Sequence, residues 1–174
     1  MFYQLKNGKI ISFSDFKYAD DCLETDKNIV YDYMSRICFE EDTKTPEYQS
    51  AVASYELLTA KQAKKNELKC ERDKREVEVI SYKGKLFDYD AKARERLNIA
   101  RQALEDNNLQ SQMWTCADNT DIELTVEDFK NINSLAAQRS GQLHDKYRKL
   151  CDYIDKLQTI NKINEVIFDM VINQ

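Results

Sequence analysis

Val77-Glu-Val-Ile-Ser-Tyr-Lys-Gly-Lys-Leu-Phe-Asp-Tyr-Asp90, a helical run from Ala91 to Glu105, and Met113-Trp-Thr-Cys-Ala-Asp-Asn-Thr-Asp-Ile-Glu-Leu124 decide the fold. Val77 and Val79 alternate with Glu76 and Glu78, Lys83-Gly84 offers a tight turn, and Leu86 with Phe87 leads a return strand, so the first part predicts a hairpin. Asp90 then caps a helix whose apolar face is Ala93, Leu97, Ala100 and Leu104. Asn107-Asn108 ends that helix. A second hairpin is expected from Met113–Cys116 and Ile122–Leu124 around Ala117–Asp121. Hairpin, cap and helix then repeat, because Thr125-Val-Glu-Asp128 is a shortened capping box that opens a further helix. The unit is ββα-ββα, an α+β arrangement, with Phe87, Leu97, Trp114, Phe129 and Leu143 as its expected core.

Downstream, a largely apolar stripe follows three and four apart: Phe129, Ile132, Ala136, Ser140, Leu143, Tyr147, Leu150, Ile154 and Leu157, then Ile160, Ile163 and Ile167. Over so long a run this approaches a heptad seam, and a small domain can use only its first half. The excess predicts a coiled-coil-like pairing, either with the helix upstream or between chains. The expected interface is therefore Leu150, Ile154, Leu157, Ile160, Ile163 and Ile167, with Tyr48, Val52 and Tyr55 from the upstream helix.

That upstream helix starts at Thr45-Pro46-Glu47, with threonine as N-cap and the chain's one proline at the first helical position. It should run to about Arg75. Its first half carries Tyr48, Val52, Tyr55 and Leu58 at helical spacing. From Lys61 on it is held by propensity and charge pairs, with Glu67 and Glu71 set against Lys64, Lys74 and Arg75. Ahead of it, Phe2–Lys6, Asn7-Gly8 and Lys9–Phe13 read as a hairpin with a type I′ turn. Asp20–Asp26 reads as a loop or one helical turn, and Asn28–Tyr33 with Arg36–Glu40 as two more strands. The division is a β element over 1–45, a charged helix over 46–76 and the ββα-ββα module with its long terminal helix over 77–174.

Composition agrees with an elongated, helix-rich chain: 174 residues, 33% of them charged, with three glycines and one proline, and a mean hydropathy of -0.70. The formal net charge of -5 argues against non-specific binding to nucleic acid or anionic membrane. Lys61–Arg75 is basic, but its acids are interleaved and no aromatic lies among them, so it reads as a solvated helix face. The five cysteines are widely spaced with no Cys-x-x-Cys pair, which suits reduced thiols. No segment has the length and apolarity of a membrane span and the start lacks a basic signal-peptide region, so a soluble product is expected.

Tyr82-x-Gly84-Lys85-x-Phe87-Asp88-x-Asp90, the helix with Arg94-Glu-Arg96, Trp114-Thr-x-Ala117-Asp118-Asn119, Leu124-Thr125 and Leu143-His144 together resemble a known family. It is the domain of uncharacterised function found at the C-terminal end of tailed-phage tail and tail-fibre proteins. Tyr3-x-x-x-Asn7-Gly8-Lys-Ile and Pro46-Glu-Tyr48 are similar to the leading part of the same kind of protein. Thr115 stands where that family usually has lysine, and its glycine-rich lead-in to the first hairpin is missing here. The resemblance carries no catalytic residues. It implies a tail-associated virion component made in the host cytoplasm, with other tail or tail-fibre proteins as partners and a homo-oligomer, preferably a trimer.

Individual residues favour structural roles. Trp114 should pack in the core, and His144 should sit on an exposed or interfacial helix face. Asp88, Asp90 and Glu95 are accounted for by capping and a solvated face rather than acid–base work. Asp118-Asn119-Thr120-Asp121 lacks the order of a calcium loop and reads as turn chemistry. No catalytic, metal or cofactor residue is expected. The expected function is thus a non-enzymatic structural component of a phage tail or tail fibre. The alternative is a cytosolic fibre-assembly chaperone not retained in the virion, and a glycan-cleaving enzyme would need a carboxylate pair that the sequence does not offer.

Overall fold

The computed structural model describes residues 1–172, so the last two positions of the 77–174 module lie outside the described residues. The fold is α+β, and the chain divides into two compact units, Met1–Thr59 and Ala60–Gln174.

In the first unit β1 (Phe2–Lys6), β2 (Lys9–Ser14), β3 (Leu23–Glu24), β4 (Ile29–Tyr31) and β5 (Ile37–Phe39) form one antiparallel sheet in the order β3-β1-β2-β5-β4. Asn7 at φ 54° and Gly8 at φ 75° make the β1–β2 turn, as a type I′ hairpin requires. The sheet has five strands where the sequence pattern predicts four. The extra one, β3, lies in the segment expected to be a loop. It pairs Leu23 with Tyr3 and Glu24 with Phe2, and the Met1 amino group donates to the Thr25 carbonyl at 3.0 Å. Two residues are too few for an alternating pattern, so this strand is made by its partner. A 3₁₀ turn at Glu40–Lys44 leads into α1 (Pro46–Glu76), whose start is capped by Thr45 Oγ1 accepting the Tyr48 N–H at 3.2 Å. The boundary between the two units falls inside α1, not at either end of the 46–76 segment.

The second unit contains β6 (Ile80–Tyr82), β7 (Lys85–Phe87), α2 (Ala91–Asp106), β8 (Ser111–Thr115), β9 (Asp121–Thr125), α3 (Val126–Lys156) and α4 (Ile160–Asn164). The two hairpins are tied together where Ala117 N–H donates to the Leu86 carbonyl at 2.8 Å. Their apolar side chains and those of α2 and α3 close one core that includes Ile80, Phe87, Leu97, Leu104, Leu124, Phe129 and Ile132. Trp114 packs against that core, edge-on to Phe129 with ring centroids 5.5 Å apart. Leu143, expected in the core, is only half-buried, because the core cluster on α3 ends at Ala136.

Asp90 caps α2 by accepting the Ala93 N–H at 2.8 Å, and Ala93, Leu97, Ala100 and Leu104 are all buried. Asp90→Ala should therefore cost about 1 kcal/mol in a urea titration, with the denaturant slope unchanged.

Two expectations fail here for physical reasons. Val77 and Val79 are exposed and precede the first strand, which starts at Ile80. Arg139 on α3 takes the carbonyls of Glu76, Glu78 and Val79 at 2.7, 2.8 and 3.1 Å, which ties this segment to α3 instead of to a strand. The long terminal helix also stops at Lys156, where Leu157 turns extended (φ -72°, ψ 142°). Beyond it the chain forms the short α4 and a tail rather than a continued seam.

Candidate functional site

Opposite residues on paired strands share a sheet face, and the register places Tyr3 opposite Phe13, Leu5 opposite Ile10, Ile10 opposite Ile37, Tyr31 opposite Ile37 and Ile29 opposite Phe39. One face of the N-terminal sheet is therefore entirely apolar. The bulge between Gln4 and Leu5 takes up Ile11 as the extra residue, which is what brings Ile10 and Phe13 to the same side. Tyr3 packs edge-on to Phe39 at 5.4 Å and Phe13 tilts over Tyr31 at 5.7 Å.

This face stays open. Of residues 1–59 only Ile29 is a buried apolar side chain; on this face Leu5 and Tyr31 are exposed and Tyr3, Ile10, Phe13, Ile37 and Phe39 are half-buried. A groove of about 780 Å³ runs over β2, lined by β1, β2, β5, the β4–β5 turn, the 3₁₀ turn and Tyr48. A patch of this kind rimmed by polar groups marks a place where something binds.

The rim is built with care at Asp32. Its Oδ1 accepts the Met34 and Arg36 N–H groups at 2.8 Å, its Oδ2 accepts Arg36 Nε at 2.7 Å, and Ser35 sits at φ 58°. Burial pushes the Asp32 carboxyl up, but the Arg36 and Met34 donors outweigh it and hold it below the usual range. Tyr33 beside it meets Tyr48 of α1 edge-on and Tyr55 at a tilt, with centroids 5.5 and 5.1 Å apart. Cys38 lines the groove, and burial, with Asp32 and Asp42 next in effect, pushes its thiol up. A thiol held protonated at neutral pH is a poor nucleophile.

The expected interface residues separate into two groups. Tyr48 and Val52 are half-buried and Tyr55 is exposed, with Tyr48 and Tyr55 gathered around Tyr33. Leu150, Ile154, Leu157 and Ile163 are instead buried inside the second unit, while Ile160 and Ile167 are exposed. The buried four are corrected from interface to core. The chain folds back after Lys156, and its tail is clamped: Asp169 takes both terminal nitrogens of Arg75 at 2.6 and 2.8 Å and Lys146 Nζ at 3.3 Å, and Arg75 lies 4.7 Å over the Phe168 ring. The second half of α1 is likewise tied to α3, with Lys65 bridging Asp155 at 2.7 Å and Lys61 donating to the Asp155 carbonyl at 2.8 Å.

The remaining candidates fall into structural roles. His144 Nε2 lies 2.8 Å from Glu76 Oε1, which Ser140 Oγ also meets at 2.9 Å; serine and histidine share the carboxylate and do not form a nucleophile–base pair. Asp118 accepts the Thr120 N–H at 3.0 Å in its turn. Among the described residues no cluster of histidine, cysteine and acid has metal-holding geometry, and no helix is long and apolar enough to cross a membrane. Sequence reasoning missed Arg139 and Asp169, since a single charge on a helix or tail carries no local sign of its distant partner.

A family model described as a domain of unknown function (DUF4376) matches residues 59–168. The chain belongs to the DUF4376 family. The match begins within one residue of the second unit, so the DUF4376 segment comprises the closed ββα-ββα core, the second half of α1 and the tail through Phe168. The open sheet lies ahead of DUF4376. No curated protein and no solved structure matches the chain.

Proposed function

We propose that this protein is a non-enzymatic structural component of a bacteriophage virion, associated with the tail or tail fibre and acting by docking to other tail proteins. The observation that carries the docking part is the contrast in burial between the two units. The DUF4376 unit closes its core, whereas the N-terminal sheet leaves a continuous apolar face and groove open. The resemblance of the Tyr82–Asp90 and Trp114–Asn119 patterns to tail-fibre proteins supplies the virion part. Homo-oligomerisation, with a trimer preferred, belongs to the same proposal, and of the stripe positions Tyr55, Ile160 and Ile167 remain exposed for it.

Quantitative mass spectrometry of purified particles tests this reading. The protein should be present in a fixed ratio to the tail proteins and should stay through a high-salt wash. Absence from particles, with co-purification of a fibre protein from infected cells, would replace this reading with that of an assembly chaperone.

A further inference from the structure

We infer that the groove of the N-terminal sheet receives an apolar, positively charged segment of a different protein, lying extended over β2. This names the partner class for the docking reading and rests on it. The first argument is shape. The groove is bounded by antiparallel strands and open along its length, with Tyr3, Leu5, Ile10, Ile37 and Phe39 as an apolar floor. Such a floor suits the alternate side chains of an extended segment.

The second argument is charge, and it selects between a second copy and a foreign chain. Residues 1–59 hold six bases against eleven acids, while 60–174 hold twenty of each. The net charge of -5 therefore sits wholly on the unit that bears the groove. Within that unit Lys27, Arg36 and Lys44 are already held by Glu41, Asp32 and Glu40. Lys6, Lys9 and Lys17 are then the bases without an ion pair among the described residues, against eight such acids. Of the unpaired acids, Asp20, Asp21, Glu24 and Asp26 lie around the β3 edge and Asp42 lines the groove after β5, where Lys9 is the one unpaired base in the lining. A second copy would set this acidic rim against itself, whereas a cationic segment meets complementary charge at the rim and apolar contact on the floor.

Fluorescence anisotropy on the full chain tests this with three labelled synthetic octapeptides, alternating lysine–valine, glutamate–valine and lysine–serine. The lysine–valine peptide should bind about tenfold or more tightly than either of the others, and less tightly as salt is raised. Leu5→Lys, at a position 47% exposed, should weaken that binding by about tenfold while circular dichroism stays native. If that variant does not fold, Ile11→Lys, at a groove-lining position 51% exposed, takes its place. Equal binding of the glutamate–valine peptide, or unchanged binding by the groove variant, overturns the inference. So does sedimentation showing a self-associated chain that the groove variant dissociates, which would place a second copy on the face. Failure here leaves the virion assignment to its own measurement on particles.

Discussion

Ile163→Glu should destabilise the DUF4376 unit by about 4 kcal/mol or more, whereas Ile167→Glu should change its stability by no more than about 0.5 kcal/mol. The two residues are four apart in the sequence stripe, and a continuous helical seam would give them the same role, but α4 ends at Asn164. Ile163 is 0% exposed and Ile167 is 60% exposed. Glutamate at 163 removes a fully buried aliphatic side chain and leaves a carboxylate with no partner in its place; each of these costs several kcal/mol when it occurs alone. A domain of this size has about 5–15 kcal/mol in total, so the variant is near the limit of folding. Chemical denaturation of the two variants decides the matter. If Ile163→Glu unfolds with the native midpoint, α4 is not packed as described and the stripe returns to the surface.

The sequence carried this stripe faithfully but not its interruption. Lys156-Leu-Gln-Thr-Ile160 contains no glycine or proline, and the spacing of three from Ile154 to Leu157 and on to Ile160 continues unbroken. One local signal was present: Thr159 is an N-cap residue type in extended conformation ahead of Ile160. What ends α3 otherwise is tertiary, with Arg75 and Lys146 drawing Asp169 back to α1 and α3. The elements that were legible are those set by local chemistry. Asn7-Gly8 and Lys83-Gly84 fixed two hairpins through positive φ, and Asp90, Thr125 and Asp128 fixed two helix starts. The candidate site was legible in part. Asn7-Gly8 marks the β1–β2 hairpin and Tyr48 stands among the expected interface residues, but the bulge at Ile11 breaks the alternation of β2, whether a face is covered depends on contacts far away in sequence, and the two-residue β3 has no pattern of its own.

Asp128→Ala should cost about 2–3 kcal/mol, and the loss should depend on pH in a direction that the site fixes. Asp128 is buried at the N3 position of α3 and closes the capping box: its Oδ2 accepts the Thr125 N–H at 3.0 Å while its own N–H reaches Thr125 Oγ1 at 3.2 Å. Its Oδ1 accepts the Tyr82 hydroxyl at 2.7 Å and meets Lys83 Nζ at 2.6 Å, which joins the first hairpin to the start of α3. Lys83 is half-exposed, so solvent screens that ion pair, and the buried hydrogen bonds from Thr125 and Tyr82 carry most of the effect. Burial pushes the Asp128 carboxyl up, but Lys83, the Thr125 N–H and the Tyr82 hydroxyl outweigh it and hold the carboxyl far below the usual carboxylate range. In the unfolded chain it titrates near its ordinary value of about 3.9. The folded state therefore binds the proton less tightly, the stabilisation is present in full above that value, and it is lost as pH falls toward the folded one. Asp128→Asn keeps the size of the side chain and removes the charge, so the native protein should lose more stability than this variant between about pH 5 and pH 2. Parallel acid-denaturation curves for the two would show that the Asp128 carboxylate does not join the hairpin to the helix.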